Sequence, residues 1–334
     1  MNINVFQKII DILAKNPNGI PQSYIHRSLS VSKAYISIIL KDMEKQGIIY
    51  RTKIGNTYIV KLAGKAPLNN KVLRLGIVWS SEYLFLGHFA KTLKNLYNID
   101  LTVNVYSNAL QATLAIIRGE VDAVLSPLVT QLYAYILSRN IVIAGGGAGG
   151  GATLYEFPKS KTDIIISSEA SSMDLCRLIA SKRKIIEHEG VRYFTTPNEA
   201  LEFIKRGKAR YAVIWHPLTE FVKPIEHRVV IDCGEFEEIK HCCTLALSKF
   251  IGIENIEKIS AAYRNAIIEF LHSPVKFIDW YSSITNIDSS ILRKALNAYR
   301  YTYEIDSKDI QTVVDAININ IPQKHAMLNA IIHI

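Results

Sequence analysis

Residues 112–128, ATLAIIRGEVDAVLSPL, can be laid over residues 200–218, ALEFIKRGKARYAVIWHPL, with a two-residue insertion in the second copy. Each copy is a helical stretch ending in Arg-Gly (Arg118-Gly119 and Arg206-Gly207). A short apolar strand follows, then a loop holding Pro-Leu (Pro127-Leu128 and Pro217-Leu218). Glycine just past a helical stretch is a C-cap signal. A helix–strand unit that recurs in this way predicts two similar α/β lobes in one module.

The surroundings of the first copy agree. VLRLGIV (72–78) reads as a buried strand, the loop WSSEY follows, and an amphipathic helix runs to about Tyr97. LTVNVYS is the next strand, Ser107-Asn108 lead into a helix, and VDAVLS is the third strand. Alternating strands and helices of these lengths predict a parallel sheet with helices on both faces. GGGAGGG (145–151) contains G-x-G-x-x-G at Gly145, Gly147 and Gly150. The dinucleotide fingerprint needs a helix straight after it, whereas ATLYEFPKSKTD carries Pro158 and no helical period. A hinge, or a close backbone approach to ligand, fits the glycines better. Beyond about Gly252 the chain reads as helical, with an apolar tail AMLNAIIHI whose large residues are Met327, Leu328, Ile331, Ile332 and Ile334.

The N-terminal stretch is different in kind. Residues 1–65 hold ten Lys/Arg against three acids, +7 of the chain's +9, while the remaining 269 residues balance 29 bases against 27 acids. Such a basic surface suits a polyanion. VFQKIIDILAKN spaces Val5, Ile9, Ile12 and Leu13 as one helix face, and Asn16-Pro17-Asn18-Gly19 ends it. Pro21 opens a second helix, QSYIHRSL. Ser30 or Ser32 then caps a third, KAYISIILKDMEKQ, with Gly47 as its C-cap. IIYRT and TYIVKL read as strands joined by Lys53-Ile54-Gly55-Asn56. KLAGKAPLNN separates this part from the first buried strand. The expected division is residues 1–62, a linker 63–70, and residues 71–334.

On the segment SVSKAYISIILKDMEKQGIIYR (30–51) and its helix–helix–helix–hairpin order, residues 3–62 resemble the winged helix-turn-helix domain of MarR-like regulators. On LRLGIVWSS, RGEVDAVLSPL and IVIAGGGAGGG, roughly residues 71–300 resemble the type II periplasmic-binding-protein fold. The nearest likeness is to solute-binding proteins for sulfonates, nitrate and thiamine precursors. The resemblance implies two lobes with a ligand cleft, the chain crossing near the Gly-rich stretch and returning near VVIDCG. The expected fold is α/β: a winged helix followed by a two-lobed periplasmic-binding-protein-like module with C-terminal helices. Together the two parts resemble a LysR-type arrangement in outline, without its long linker helix.

Those likenesses imply a ligand-responsive transcription regulator bound to double-stranded DNA. Lys33, Tyr35 and Ser37 would face base edges, and Ser32, Lys41, Arg51 and Lys53 would meet phosphate. A solvated or protein-binding face is the competing role. In the cleft, ligands sit at the carboxyl ends of strands. Those ends carry Trp79, Ser80 and Ser81, then Ser107 and Asn108, then Ser126, Ser168, and Trp215 with His216. Ser171 and Ser172 at a helix start offer hydroxyls and free N–H groups to an anionic small-molecule effector, with capping as the competing role. A homodimer is expected, its surface not fixed by the sequence; the surplus C-terminal helices and the apolar tail would pack on the lobes or on a second subunit.

Four cysteines do not make a disulfide framework in a chain this long. His241, Cys242 and Cys243 are adjacent, and strand neighbours point to opposite sides, so small buried cysteines are expected there and no metal or cofactor. No apolar run reaches the roughly 18–20 residues that span a bilayer. MNINVFQKIIDILAKN is broken by Asp11 and Lys15 and reads as no signal peptide. The expectation is a cytoplasmic protein without membrane contact. No nucleophile–base–orienter set is legible, so no enzyme is expected. An enzyme of the thiamine- or menaquinone-pathway kind on this fold is one alternative. A second module that serves only in assembly is another.

Overall fold

The computed structural model describes residues 3–16, 19–45, 48–62, 71–317 and 324–332. The expected linker 63–70, the Gly47 cap and Ile334 lie outside the described residues.

The N-terminal module runs α1 (Ile3–Ala14), β1 (Ile20–Pro21), α2 (Gln22–Ser28), α3 (Lys33–Lys45), β2 (Ile49–Ile54) and β3 (Thr57–Leu62). Its sheet is antiparallel in the order β1-β3-β2. Ile54 pairs with Thr57, so the hairpin loop is only Gly55 and Asn56. Of the α1 face read from the sequence, Ile9 and Leu13 are buried, Ile10 joins them, and Val5 and Ile12 are only partly buried. Ile9, Ile10 and Leu13 meet Ile36, Ile39, Leu40 and Met43 in one buried cluster, and Phe250 of the larger module packs against it. Burial of each such side chain stabilises by roughly 1.5–3 kcal/mol.

Lobe I begins with β4 (Val72–Val78), α4 (Leu86–Tyr97), β5 (Asp100–Tyr106), α5 (Ala109–Ile117), β6 (Ala123–Pro127), α6 (Leu128–Ser138) and β7 (Ile141–Gly150). Lobe II follows as β8 (Ala152–Glu156), β9 (Ile164–Ser168), α7 (Ser172–Lys182), β10 (Gly190–Phe194), α8 (Pro197–Lys205), β11 (Tyr211–Trp215), α9 (Leu218–Val222) and β12 (Arg228–Asp232). The chain then returns to lobe I with β13 (Cys243–Ser248), α10 (Ile253–His272), α11 (Ile278–Thr285), α12 (Ser289–Ala295), β14 (Tyr299–Thr302) and α13 (Ser307–Ala316). The sheets run β14-β7-β13-β6-β4-β5 and β10-β9-β11-β8-β12.

The repeat corresponds to equivalent places in the two lobes. α5–β6–α6 and α8–β11–α9 share one course, and Gly119 and Gly207 follow the helices at φ +70° and +63°. β6 runs parallel to β4 as β11 does to β9. The parallel sheet expected from the sequence is corrected: both sheets are mixed. Among the described strands, β5-β4-β6 and β10-β9-β11 are parallel, and the strands that enter each lobe from the other, β13 and β8, pair antiparallel with them. A strand entering a lobe from the other one arrives from the opposite end, which reverses its direction.

GGGAGGG is strand, lying in β7 between β13 and β14, with the crossing to lobe II at Gly150 and Gly151. What crowds it is this chain's own backbone. A Cβ on Gly149 would come 2.0 Å from the Lys240 carbonyl oxygen, in the segment that returns from lobe II. Gly151 takes φ +73°, and a Cβ there would come 2.0 Å from the Tyr299 ring.

The C-terminal elements are used within the chain. α10 packs on α4 and β7. The tail seats Met327 and Ala330 in the core that also holds α6, with Leu328 and Ile331 packed against it. The Ile332 N–H donates to the Ile143 carbonyl (3.1 Å). Of the two places the sequence left open for this tail, the lobes or a second subunit, it takes the first. Among the described residues, no helix is long and apolar enough to cross a membrane.

Candidate functional site: the cleft between the lobes

The carboxyl ends of strands from both lobes meet at one enclosed cavity. Val78 ends β4, Pro127 ends β6, Gly150 ends β7, Ser168 ends β9 and Trp215 ends β11, and all five line it. Ala109 and Met173, from the first turns of α5 and α7, line it as well. Glu82, Cys242, Cys243 and Tyr299 complete the wall. The cavity measures about 10 Å³, room for about one water. Trp215 is held flat by Phe194, whose ring stacks on it at 6.0 Å. The Trp215 indole N–H donates across the lobes to the Trp79 carbonyl (3.0 Å).

The lobes are closed by a set of such bridges. Ser81 Oγ meets His216 Nδ1, and the His216 carbonyl accepts from Ser81 Oγ (3.0 Å), Ser80 Oγ (3.4 Å) and Tyr299 Oη (3.1 Å). Ser172 Oγ donates to the Cys242 carbonyl (3.1 Å), Thr130 Oγ1 to the Ala170 carbonyl (2.7 Å), and Asn108 Nδ2 to the Thr195 carbonyl (2.9 Å). Lys294 on α12 pairs with Glu220 on α9 at 2.9 Å. Burial at this seam pushes the His216 imidazole down to about 4, because the charged ring would leave water.

Glu82, Cys242 and Cys243 form the polar end of the cavity. The Cys243 thiol donates to Glu82 Oε1 (3.1 Å), and Tyr83 Oη donates to Cys243 Sγ (3.2 Å). Glu82 is 4% exposed. Burial raises its carboxyl, against hydrogen bonds from Cys243, Tyr83, Ser80 and Cys242. Burial also pushes the Cys243 thiol well up. β13 starts only at Cys243. Strand alternation therefore does not govern Cys242, and both thiols reach the same carboxylate. His241 turns elsewhere, to Asp309 at 3.1 Å.

The sequence-derived cleft residues divide into three groups. Ser168 and Trp215 line the cavity. Trp79, Ser80, Ser81, Asn108, Ser172 and His216 make the bridges just described, while Ser171 Oγ donates to the Ser168 carbonyl (2.6 Å) within lobe II. Ser126 is taken up by Thr113 and Gln131 in a buried hydrogen-bond network, and Ser107 donates to Gln111 at the surface. Sequence reasoning missed Glu82, Met173, Cys242, Cys243 and Tyr299. One signal was available: Glu82 is the sole acid between Lys71 and Ile99, inside a strongly apolar run. The disulfide Cys176–Cys233, joining α7 to the turn after β12 across 57 residues, was not expected either.

In the N-terminal module, Ser32 Oγ accepts from the Tyr35 N–H (3.3 Å), Tyr35 and Ser37 are half-buried, and Lys33, Lys41 and Lys53 are exposed. Arg51 is committed to Glu44 through its side chain and stacks over Tyr58 at 5.3 Å. The outer face of α3 presents Ile38 at 66% exposure.

Comparison with known proteins bears on both parts. A family model described as a domain of unknown function (DUF7343) matches residues 6–63. No curated protein matches the chain. Among solved structures, the alkanesulfonate-binding protein of Xanthomonas axonopodis pv. citri, bound to MOPS, is similar at 13% identity and TM-score 0.65, over 78% of this chain and 98% of that one. The periplasmic aliphatic sulphonate binding protein of Escherichia coli is similar at 14% identity and TM-score 0.60, over 73% and 89%. A Candida albicans gene product described as exhibiting the generic periplasmic binding protein fold is similar at 10% identity and TM-score 0.58, over 78% and 95%. These neighbours overturn the expectation of a DNA-binding transcription regulator with a double-stranded DNA partner. On the N-terminal surface, the arginine assigned to phosphate is instead paired with Glu44, and the outer face of α3 exposes Ile38 among its polar residues. The neighbours give the homodimer expectation no support either, and the tail is buried on its own chain. The chain has an α/β, two-lobed, periplasmic-binding-protein-like fold.

Proposed function

We propose that this chain binds a small solute between its two lobes, without chemical turnover. The observation that carries the reading is the meeting of strand ends from both lobes at one cavity, which is where open α/β sheets bind ligands. Drug-sized ligands need pockets of about 300–1,000 Å³, so a solute enters as the lobes part. The two crossings, at Gly150-Gly151 and through 233–242, would take up that motion, and the seam bridges would break and re-form around the solute.

The wall suits a compact solute with an apolar flank. Val78, Met173, Trp215 and Tyr299 supply the apolar surface. The first turn of α7 lacks a side-chain cap, so its N–H groups favour an acidic head group there. Ser81, His216 and Glu220 fall in a row, but Ser81 is fully buried and none of the three lines the cavity. That favours a latch between lobes over a nucleophile. We also propose the division into residues 1–62, 63–70 and 71–334, with the first part of winged-helix type. Its support is the order α1-β1-α2-α3-β2-β3 and the two-residue hairpin. No nucleic-acid role is attached to it.

The experiment is thermal unfolding of the full chain against alkanesulfonates, carboxylates, phosphonates and pyrimidines. A specific solute stabilises by mass action, by about 2.7 kcal/mol at a hundred times its Kd. A saturable rise lost in Trp215→Ala is expected. A panel without effect, or a rise unchanged in that variant, refutes the reading.

A further inference from the structure

We propose that Glu82, Cys242 and Cys243 hold a soft divalent metal ion, Zn2+ by their chemistry, with a fourth position open to the cleft. The inference stands on these three side chains and does not depend on which solute the cleft takes. One ligand atom from each of them lies within 4.8 Å of the others, and all three residues are buried. A tetrahedral zinc with S donors at about 2.3 Å and an O donor at about 2.1 Å needs ligand atoms separated by about 3.5–3.8 Å. The observed spacing exceeds that range by at most about 1 Å.

Two further observations separate this cluster from ordinary buried cysteines. Glu82 is a carboxyl in the interior, and among the described residues no Lys, Arg or His pairs with it; its partners are thiols and hydroxyls. A buried carboxylate needs a cation or a proton. A divalent ion offsets two of the three negative charges that one carboxylate and two thiolates would carry. Tyr83 Oη also lies 3.2 Å from both Cys243 Sγ and the Leu125 carbonyl, with one proton to give to either. That is the kind of outer contact that orients a ligating sulfur. Thiolates with one carboxylate select zinc over the hard ions, which prefer all-oxygen sites. The thiols that ligate pass their protons to solvent as the ion enters. Three protein ligands leave one position, which faces the cavity lined by Met173 and Trp215. Water or a polar atom of a solute would occupy it.

The test is metal uptake by the full chain, stripped with chelator and kept anaerobic without reductant, so that Cys176–Cys233 stays joined. Titration with Zn2+ is expected to give one ion per chain. Co2+ is expected to give the near-ultraviolet charge-transfer band of thiolate ligation. Cys243→Ser and Cys242→Ser should each remove that band's intensity in part and weaken Zn2+ at least ~10-fold, and the double variant should remove the band. Glu82→Gln should weaken Zn2+ while keeping the band. Thermal unfolding of each metal-free variant reports whether it is folded, and the wild-type band is independent of any variant. No stoichiometric uptake by wild type, or uptake without a thiolate band, overturns the proposal, as does unchanged affinity in the double variant.

Discussion

Replacing Gly149 by alanine tests how the Gly-rich strand works. A Cβ there would come 2.0 Å from the Lys240 carbonyl oxygen, 1.0 Å inside the 3.0 Å that real Cβ atoms respect. The obstacle is backbone, in the segment that returns from lobe II to β13, so no rotamer change relieves it. Overpacking of this kind costs roughly 1–3 kcal/mol. The loss of chain entropy in the unfolded state returns about 0.4–1 kcal/mol. The net expectation is a destabilisation of roughly 1–2 kcal/mol. Gly190 is the matched control, since a Cβ there meets nothing within 4 Å and its backbone is not left-handed. Gly190→Ala should be neutral or stabilising by up to about 1 kcal/mol. Urea unfolding followed by far-ultraviolet circular dichroism reads both midpoints. Equal midpoints for the two variants would refute the claim that the glycines of β7 are there for backbone approach.

Three further outcomes are expected. Reducing Cys176–Cys233 releases a 57-residue separation; loop-closure entropy sets the loss at about 4 kcal/mol, and typical cases give 2–4, read as a lower urea midpoint with dithiothreitol that is absent in the Cys176→Ala/Cys233→Ala variant. His216 is held down to about 4 from 6.5, so between those values the unfolded chain binds a proton that the folded chain refuses. Its stabilising contribution is therefore full above about pH 6.5, is lost as pH falls toward 4, and amounts to roughly 3 kcal/mol; His216→Gln should flatten that part of the stability–pH curve. Met327→Ala should cost about 2–5 kcal/mol and leave the sedimentation coefficient that of one chain, because Met327 is buried in lobe I and not against a second copy.

Much of the two-lobed architecture was legible because it is written twice. The Arg-Gly, strand, Pro-Leu course at 112–128 and 200–218 reports a local pattern, and local patterns survive in sequence. What stayed hidden depends on contacts between distant residues. Cys176 and Cys233 give no sign of their pairing, since spacing alone cannot choose partners among four cysteines. Alternation put Cys242 and Cys243 on opposite faces, but the strand begins at the second of them. The mixed direction of the sheets follows from strands that change lobes, which a run of helix and strand signals cannot show. The basic charge of residues 1–65 was correctly counted, yet charge says nothing of pairing, and Glu44 lies seven residues from the arginine it neutralises. Among the cleft residues, position at a strand end identified Ser168 and Trp215. The same rule also drew in Ser126, whose hydroxyl is spent on Thr113 and Gln131.

The most direct measurement is isothermal titration of the full chain with small sulfonates, carboxylates and phosphonates, wild type against Ala109→Leu. Ala109 is 1% exposed and opens α5 at the cavity wall, so the larger side chain occupies the space between the lobes while leaving the surface unchanged. Interlobe binding predicts one saturable site per chain in wild type and at least ~10-fold weaker binding in the variant, the equivalent of about 1.4 kcal/mol. No saturable binding in wild type, or equal affinity in the two proteins, would contradict it.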